Sequence, residues 1–164
     1  MLVFDIILME KAGSVQILPR LFHILSDNMT KIAPTGNTPE QDYQIWIAAI
    51  HPLLECQERQ ILLIKQTDSI IGFFQYFIDD SVLKMEEIQI MQAYWGSGAF
   101  RDLYRYLAQH IPHHIRWVEA FANKRNKKSQ EILRHLGLEV IGENKNGNSF
   151  HFRGDFQQML AHYR

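Results

Sequence analysis

A glycine turn between a predicted strand and a predicted helix is the first feature of the sequence that suggests binding chemistry. Residues 82–91 have the apolar pattern of a β-strand, and Trp95-Gly96-Ser97-Gly98 comes soon after them. Glycines let the backbone approach a ligand closely, and the start of a helix offers unpaired N–H groups and the positive end of the helix dipole. The turn therefore has the features of a phosphate-binding site. The helical period that follows is carried by Phe100, Leu103, Tyr104, Leu107 and Ile111.

The spacing of the glycines does not fit the two common nucleotide-binding motifs. The Walker loop requires Gly-x-x-x-x-Gly-Lys followed by Ser or Thr, and this segment lacks that pattern. The dinucleotide fingerprint requires a third glycine at the position that Arg101 occupies. Two interpretations remain, namely a cradle for a different phosphate ligand and a plain strand-to-helix connection.

A second strand-to-helix unit lies further along the chain. Residues 116–122 have the pattern of another strand, and Asn126 is a typical N-cap residue for the helix after it. That helix has an apolar face that includes Ile132 and Leu133, and it is predicted to stop at Gly137.

Together these two units resemble the GCN5-related N-acetyltransferase (GNAT) superfamily. Asn126-x-x-Ser129-x-x-Ile132-Leu133-x-x-x-Gly137-Leu138 resembles the Asn-x-x-Ser...Leu...Gly-Phe segment of the branch that acetylates the N-termini of ribosomal proteins (RimJ/RimL-like). Ile88-x-Ile90...Trp95-Gly96-x-Gly98 resembles the pyrophosphate loop of the same branch, in which tryptophan often replaces the arginine before the first glycine. The resemblance extends over about residues 60–153.

The resemblance implies the GNAT fold and acetyl-CoA as the cofactor. The fold class is α/β (α+β), with a mixed, mostly antiparallel sheet whose central strands splay and which is flanked by helices. Backbone groups of the strand before the glycine turn would bind the pantetheine arm, and N–H groups of the turn would bind the pyrophosphate. The implied cofactor-binding residues are Ile88, Ile90, Gln92, Trp95, Gly96, Ser97, Gly98, Ala99, Phe100, Arg101, Asn126 and Ser129.

The implied reaction is direct acetyl transfer, in a ternary complex, to a primary amine that is a small molecule or a peptide N-terminus. Such a transfer needs a group that accepts the amine proton and a group that protonates the departing thiolate. Glu86 and Glu87 are candidate acceptors that face opposite sides of the strand, and Glu119 is a third. Many family members use a tyrosine seven residues after the motif asparagine as the donor. Leu133 stands there, so the resemblance gives this role to Ser129.

Each candidate also has a purely structural interpretation. The glutamates would be solvated or salt-bridged, and Ser129 would be a first-turn helix residue with local hydrogen bonds. Phe100 occupies a position that is usually small in the family and either crowds the pyrophosphate or points into the core. Phe100 and Leu133 therefore also favour a catalytically silent acyl-CoA-binding module, and a plain interaction domain on the same fold is the remaining alternative.

Composition limits the other function classes. The 164 residues are 46% hydrophobic and 21% charged with a net charge of −1, as in a soluble globular protein without general attraction to nucleic acid or membranes. The single cysteine, Cys56, excludes an internal disulfide. No apolar run approaches the roughly 20 residues that span a bilayer, and no signal-peptide cleavage site follows the N-terminus. We expect a cytoplasmic protein without nucleic-acid or membrane partners, and a homodimer is left open.

Two charged clusters have alternative interpretations. His110, His113 and His114 lack a partner with metal-ligand spacing, so we expect no metal site. The basic segment Lys124-Arg125-Asn126-Lys127-Lys128 is either a solvated loop or a contact for the cofactor's 3′-phosphate, with nucleic-acid binding a minor alternative.

The sequence predicts one N-acetyltransferase domain over residues 1–164. Residues 1–58 hold a first strand and two substrate-side helices, the second opening with a capping box at Thr38-Pro39-Glu40-Gln41. Residues 59–164 form the acetyl-CoA-binding core, with three antiparallel strands, a helix, a strand, a helix and a closing hairpin. The acceptor pocket would be shaped by the first two helices and the loop at 34–37, which carry no recognisable substrate code.

Overall fold

A computed structural model describes residues 2–11, 14–56 and 59–163 of the chain. It has seven strands: β1 Asp5–Leu8, β2 Gln60–Gln66, β3 Ser69–Asp79, β4 Val82–Ile90, β5 Trp117–Asn123, β6 Glu139–Glu143 and β7 Ser149–Asp155. The α-helices are α1 Leu18–Met29, α2 Pro39–Glu55, α3 Ala99–His110, α4 Lys127–His135 and α5 Phe156–Ala161. Two short 3₁₀ helices, Ser14–Gln16 and Gln92–Tyr94, complete the described elements.

The strands form one mixed sheet in the order β1-β2-β3-β4-β5-β7-β6. Strands β4 and β5 run parallel, joined by α3, whereas β1 with β2, β5 with β7, and β6 with β7 are antiparallel. The predicted mixed, mostly antiparallel sheet flanked by helices is confirmed. The insertion of β7 between β5 and β6 was not predicted from the sequence.

The chain divides into two compact units. The first contains the described residues of Met1–Gln75 together with Glu87–Ala99, and the second contains the described residues of Tyr76–Glu86 and Phe100–Arg164. The division falls inside β3, inside β4 and just after the start of α3.

In the first unit, α1 and α2 cover a core built on β2 and β3. Leu18, Leu21, Ile50 and Leu54 pack with strand residues such as Phe73, which is fully buried. The predicted capping box of α2 is present, because the Gln41 N–H donates to the Thr38 hydroxyl and the Thr38 N–H donates to the Gln41 side chain. The box satisfies two N–H groups that would otherwise lack partners.

In the second unit, the predicted apolar face of α3 is buried. Leu103, Tyr104 and Leu107 are inaccessible to solvent. The Tyr104 ring stacks on Tyr163 at 4.9 Å between centroids and on Phe100 at 6.3 Å. Phe100 is half-buried and stacks on another aromatic residue of α3.

The elements differ from the sequence predictions mainly at their ends. The first strand, β1, spans only Asp5–Leu8, and the 3₁₀ helix Gln92–Tyr94, which was not predicted, lies between β4 and the glycine turn. Cys56 is the exposed C-cap of α2. In the described part of the chain, no helix is long and apolar enough to cross a bilayer.

Candidate functional site

The glycine turn is built by hydrogen bonds within the loop. The N–H of Trp95 donates to the carbonyl of Gln92, and the N–H and hydroxyl of Ser97 both donate to the carbonyl of Tyr94. Gly96 has φ +75° and Gly98 has φ +96°, conformations that side chains rarely adopt. These two glycines let the backbone turn sharply between the 3₁₀ helix and the first residue of α3.

This loop geometry reduces the number of N–H groups that could bind a pyrophosphate. The N–H groups of Trp95 and Ser97 are already bonded to loop carbonyls. The first N–H groups of an α-helix have no acceptor inside the helix, and α3 begins at Ala99, so the predicted pyrophosphate contacts shift towards the start of this helix. Arg101 lies at that end and pairs with Asp102, with 3.1 Å between Nε and Oδ1.

The edge of β4 has the backbone groups that the pantetheine prediction requires. The N–H of Met91 donates to the carbonyl of Ile71 on β3, and alternate residues of a strand bond to opposite sides. The backbone groups of Ile88 and Ile90 therefore point away from β3. The register with β5 pairs Val82–Met85 of β4 with Trp117–Ala120 and ends there, although β4 continues to Ile90.

One of these backbone groups is already saturated. The carbonyl of Ile90 accepts from Asn28 Nδ2 and from Trp95 Nε1, both at 2.9 Å. Because a carbonyl oxygen has two lone pairs, the groups left for a ligand are the N–H of Ile90 and the backbone of Ile88. Asn28, which no sequence motif singled out, also donates from its amide to the side chain of Gln89 at 2.9 Å.

A glycine on β3 keeps this part of β4 close to its neighbour. A Cβ placed on Gly72 would lie 2.6 Å from the carbonyl oxygen of Gln89 and 3.2 Å from the Cα of Ile90. Since both atoms belong to the backbone, no side-chain rotation could relieve the clash. Glycine at this position therefore fixes the distance between β3 and the end of β4.

The start of α4 places the predicted motif residues side by side. Asn126 is the N-cap, and its Oδ1 accepts from the N–H of Ser129 at 3.1 Å. The half-buried Ser129 makes no side-chain hydrogen bond within the described residues. Leu133, at the position of the usual tyrosine, is 5% exposed. The Ser129 hydroxyl is thus available to a ligand, whereas Leu133 belongs to the core.

The predicted carboxylates have different surroundings. Glu87 accepts a hydrogen bond from Gln89 at 3.0 Å, and both Glu86 and Glu87 are half-buried. Glu119 is buried, and its Oε1 lies 3.2 Å from Lys84 Nζ and 2.6 Å from His151 Nε2. Burial alone would raise the pKa of Glu119, but the hydrogen bonds from Lys84 and His151 and the charge of Lys84 outweigh it and leave that pKa below its ordinary value. Glu119 is therefore ionised at neutral pH and is a weak base.

The basic segment 124–128, which leads into the first turn of α4, contains both paired and exposed side chains. Lys124 pairs with Glu143 at 2.7 Å and lies over the ring of Phe150 at 5.1 Å. Arg125 and Lys127 are exposed. A ligand phosphate would therefore meet these residues sooner than it would meet Lys124.

A groove of about 1000 Å³ opens between α1 and the start of α2 in the first unit. Its lining includes the rings of Phe22 and Tyr43, 5.3 Å apart, and the carboxylate-bearing Glu40. The loop residue Asn37, which the sequence analysis expected to help shape the acceptor pocket, is among the residues that line this groove. Among residues 2–11, 14–56 and 59–163, no cluster of three or more His, Cys, Asp or Glu side chains is arranged to hold a metal ion.

Comparison with known proteins supports the same family. The family model described as the acetyltransferase (GNAT) domain matches residues 15–139, most of the chain. The chain therefore belongs to the GNAT acetyltransferase family. No curated protein matches the sequence.

Solved acetyltransferase structures share the fold at low sequence identity. An acetyltransferase from Thermus thermophilus is 15% identical with a TM-score of 0.74, covering 94% of this chain and 97% of its own. The PaiA N-acetyltransferase from Thermoplasma acidophilum, solved with coenzyme A, is 11% identical with a TM-score of 0.76, covering 93% and 99%. A chimeric spermidine N-acetyltransferase SpeG from Vibrio cholerae is 13% identical with a TM-score of 0.66, covering 96% and 98%.

Proposed function

We propose that this protein is an acetyl-CoA-dependent N-acetyltransferase that transfers acetyl directly to a primary amine. The observation that carries the proposal is the turn at Gly96 and Gly98, which opens α3 directly after a strand whose outer backbone groups at Ile88 are unpaired with β5. This arrangement suits a ligand with a pantetheine-like arm and a diphosphate. Membership of the GNAT family supports the same cofactor.

In this proposal, backbone groups bind the cofactor and side chains carry out the proton transfers. The N–H groups at the start of α3 bind the diphosphate, and the backbone of Ile88 with the N–H of Ile90 bonds to the pantetheine amides. The amine nitrogen attacks the thioester carbonyl and gives up its proton to a base of the site, while the carbon–sulfur bond breaks and the amide bond forms. Ser129 then donates a proton to the departing thiolate. Glu86 and Glu87 are the candidate acceptors of the amine proton, and since they leave β4 on opposite faces, only one of them can face the cleft.

The acceptor is proposed to be a small-molecule amine or a peptide N-terminus. Resemblance to the RimJ/RimL-like branch in the Asn126-x-x-Ser129 segment favours the peptide. The structural similarity to a spermidine N-acetyltransferase keeps polyamines among the acceptors to test. The soluble-type composition is compatible with a cytoplasmic location and with a homodimer.

The test is release of free thiol from acetyl-CoA in the presence of a panel of amines. We expect amine-dependent thiol release with at least one peptide or small amine, together with a product heavier by one acetyl group in mass spectrometry. Binding of acetyl-CoA without transfer to any amine would instead support the silent acyl-CoA-binding module that Leu133 suggests.

A second prediction concerns the basic segment. If Arg125 or Lys127 contacts the 3′-phosphate of the cofactor, changing it to alanine should weaken CoA binding about two- to fivefold, because an exposed ion pair contributes up to about 1 kcal/mol. The same change should leave 3′-dephospho-CoA binding unaltered. Lys128→Ala is tested in the same way, and Lys145→Ala, an exposed lysine in the β6–β7 hairpin, is the control. Equal weakening of CoA and 3′-dephospho-CoA binding would instead indicate that the segment is a solvated loop.

A further inference from the structure

A histidine that the sequence did not single out lies against the buried carboxylate of the second unit. His151 of β7 is paired with Phe121 of β5 in the sheet register, and its Nε2 lies 2.6 Å from Glu119 Oε1. Its ring stacks on Phe121 with 4.4 Å between centroids and 17° between planes. Two independent contacts therefore fix both the plane and the rotation of this imidazole.

The carboxylate also selects the tautomer. Glu119 is ionised, because its pKa is lowered by its two donors, and an ionised carboxylate can only accept hydrogen bonds. The hydrogen between His151 and Glu119 must then be carried by Nε2. In the neutral imidazole this leaves Nδ1 with an unshared electron pair. No described residue donates a hydrogen bond to Nδ1, and the side chain is 23% exposed.

The surrounding charges hold Glu119 in place. Lys84 of β4 and His151 both contact Oε1 of Glu119. Arg153 of β7 lies 4.0 Å from Oε2 of Glu119. Arg153 is itself held over the ring of Trp117 at 4.5 Å. These two cations lie near Glu119 in addition to His151, so Glu119 is anchored independently of His151.

The pair shares a sheet face with one of the predicted catalytic carboxylates. Lys84 contacts Glu119, and Glu86 is two residues further along β4, so both side chains leave β4 on the same face. Glu87 leaves on the opposite face. The side chain of Phe121 is 53% exposed. It leaves β5 on the same face as Glu119 and provides an apolar surface beside the imidazole.

We infer that His151, oriented by Glu119, is the base that takes the proton from the acceptor amine. This inference rests on the proposed function. The amine N–H bond breaks, its proton moves to His151 Nδ1, and the nitrogen lone pair stays in the new amide bond while the carbon–sulfur electrons leave with the thiolate. An imidazole suits this step better than Glu119 or Glu87, since both carboxylates already accept hydrogen bonds from the protein.

The test compares His151→Gln with His113→Gln, an exposed histidine on the loop between α3 and β5. A general base contributes about 10²- to 10⁴-fold, so His151→Gln should lower kcat/KM by at least about 10²-fold with the affinity for acetyl-CoA unchanged. His113→Gln should retain the parental rate.

A second measurement does not depend on activity. Nitrogen chemical shifts of the neutral His151 ring should show the proton on Nε2, and Glu119→Gln should remove this preference. A proton on Nδ1 in the parent, or the parental rate in His151→Gln, would overturn the inference and leave the proposed function standing. Failure of the parent to acetylate any amine would instead contradict the proposed function, and the tautomer measurement would still decide the geometry on which the inference depends.

Discussion

Gly98→Glu is expected to lower the affinity for acetyl-CoA by at least about 100-fold. Gly98 has φ +96°, which costs a side-chain-bearing residue about 1–2 kcal/mol. The new carboxylate would also stand beside the N–H groups that bind the diphosphate, and juxtaposed like charges cost several kcal/mol. Calorimetric titration with acetyl-CoA measures the loss directly.

Two further variants separate charge from strain. Gly36→Glu introduces the same carboxylate at φ +81°, in the loop between α1 and α2, where a Cβ has nothing within 4 Å. This control should bind acetyl-CoA like the parent. Gly98→Ala keeps the strain without the charge and should bind more tightly than Gly98→Glu. Parental affinity in Gly98→Glu would place the diphosphate elsewhere.

Ser129→Ala is expected to lower turnover at least tens of fold while acetyl-CoA affinity stays close to that of the parent. Proton donation by a positioned group is worth about 10²- to 10⁴-fold in rate, and the Ser129 hydroxyl has no partner among the described residues that would hold it away from a ligand. Single-turnover kinetics with saturating acetyl-CoA separate the chemical step from binding. If the variant keeps the parental rate, Ser129 is a helix residue alone, and if it loses affinity, its hydroxyl positions the cofactor.

The Ser129→Ala background also tests the missing tyrosine. Leu133→Tyr restores the commoner proton donor of the family at a position that is 5% exposed. The larger ring must displace its neighbours, so melting temperature is measured beside rate. Recovery of turnover in the double variant would place the thioester sulfur within reach of both positions.

Much of the architecture could be predicted from the sequence because short-range sequence signals agree with the fold. The capping box at Thr38, the N-cap at Asn126 and the glycine after α4 each mark a helix end through a hydrogen bond or a backbone angle that short-range sequence determines. The buried face of α3 follows from the 3.6-residue period alone. Such features need no knowledge of what lies across the sheet.

The side-chain partnerships of the site could not be predicted, because they join residues distant in sequence. His151 and Glu119 meet through the antiparallel pairing of β5 with β7, and nothing in the sequence specified that β7 lies between β5 and β6. Asn28 reaches the end of β4 across sixty-two positions. The alternating pattern of side chains along β7 was a local signal for the direction of His151, but it did not identify Glu119 as its partner.

Titration of the parent protein with acetyl-CoA tests the proposed cofactor most directly. We expect saturable binding and a higher melting temperature. At about 100 times the dissociation constant, linkage adds roughly 2.7 kcal/mol, which corresponds to about 5–10 °C for a protein of this size. Absence of both binding heat and thermal stabilisation at millimolar acetyl-CoA, in protein shown to be folded, would contradict an acetyl-CoA site in this chain.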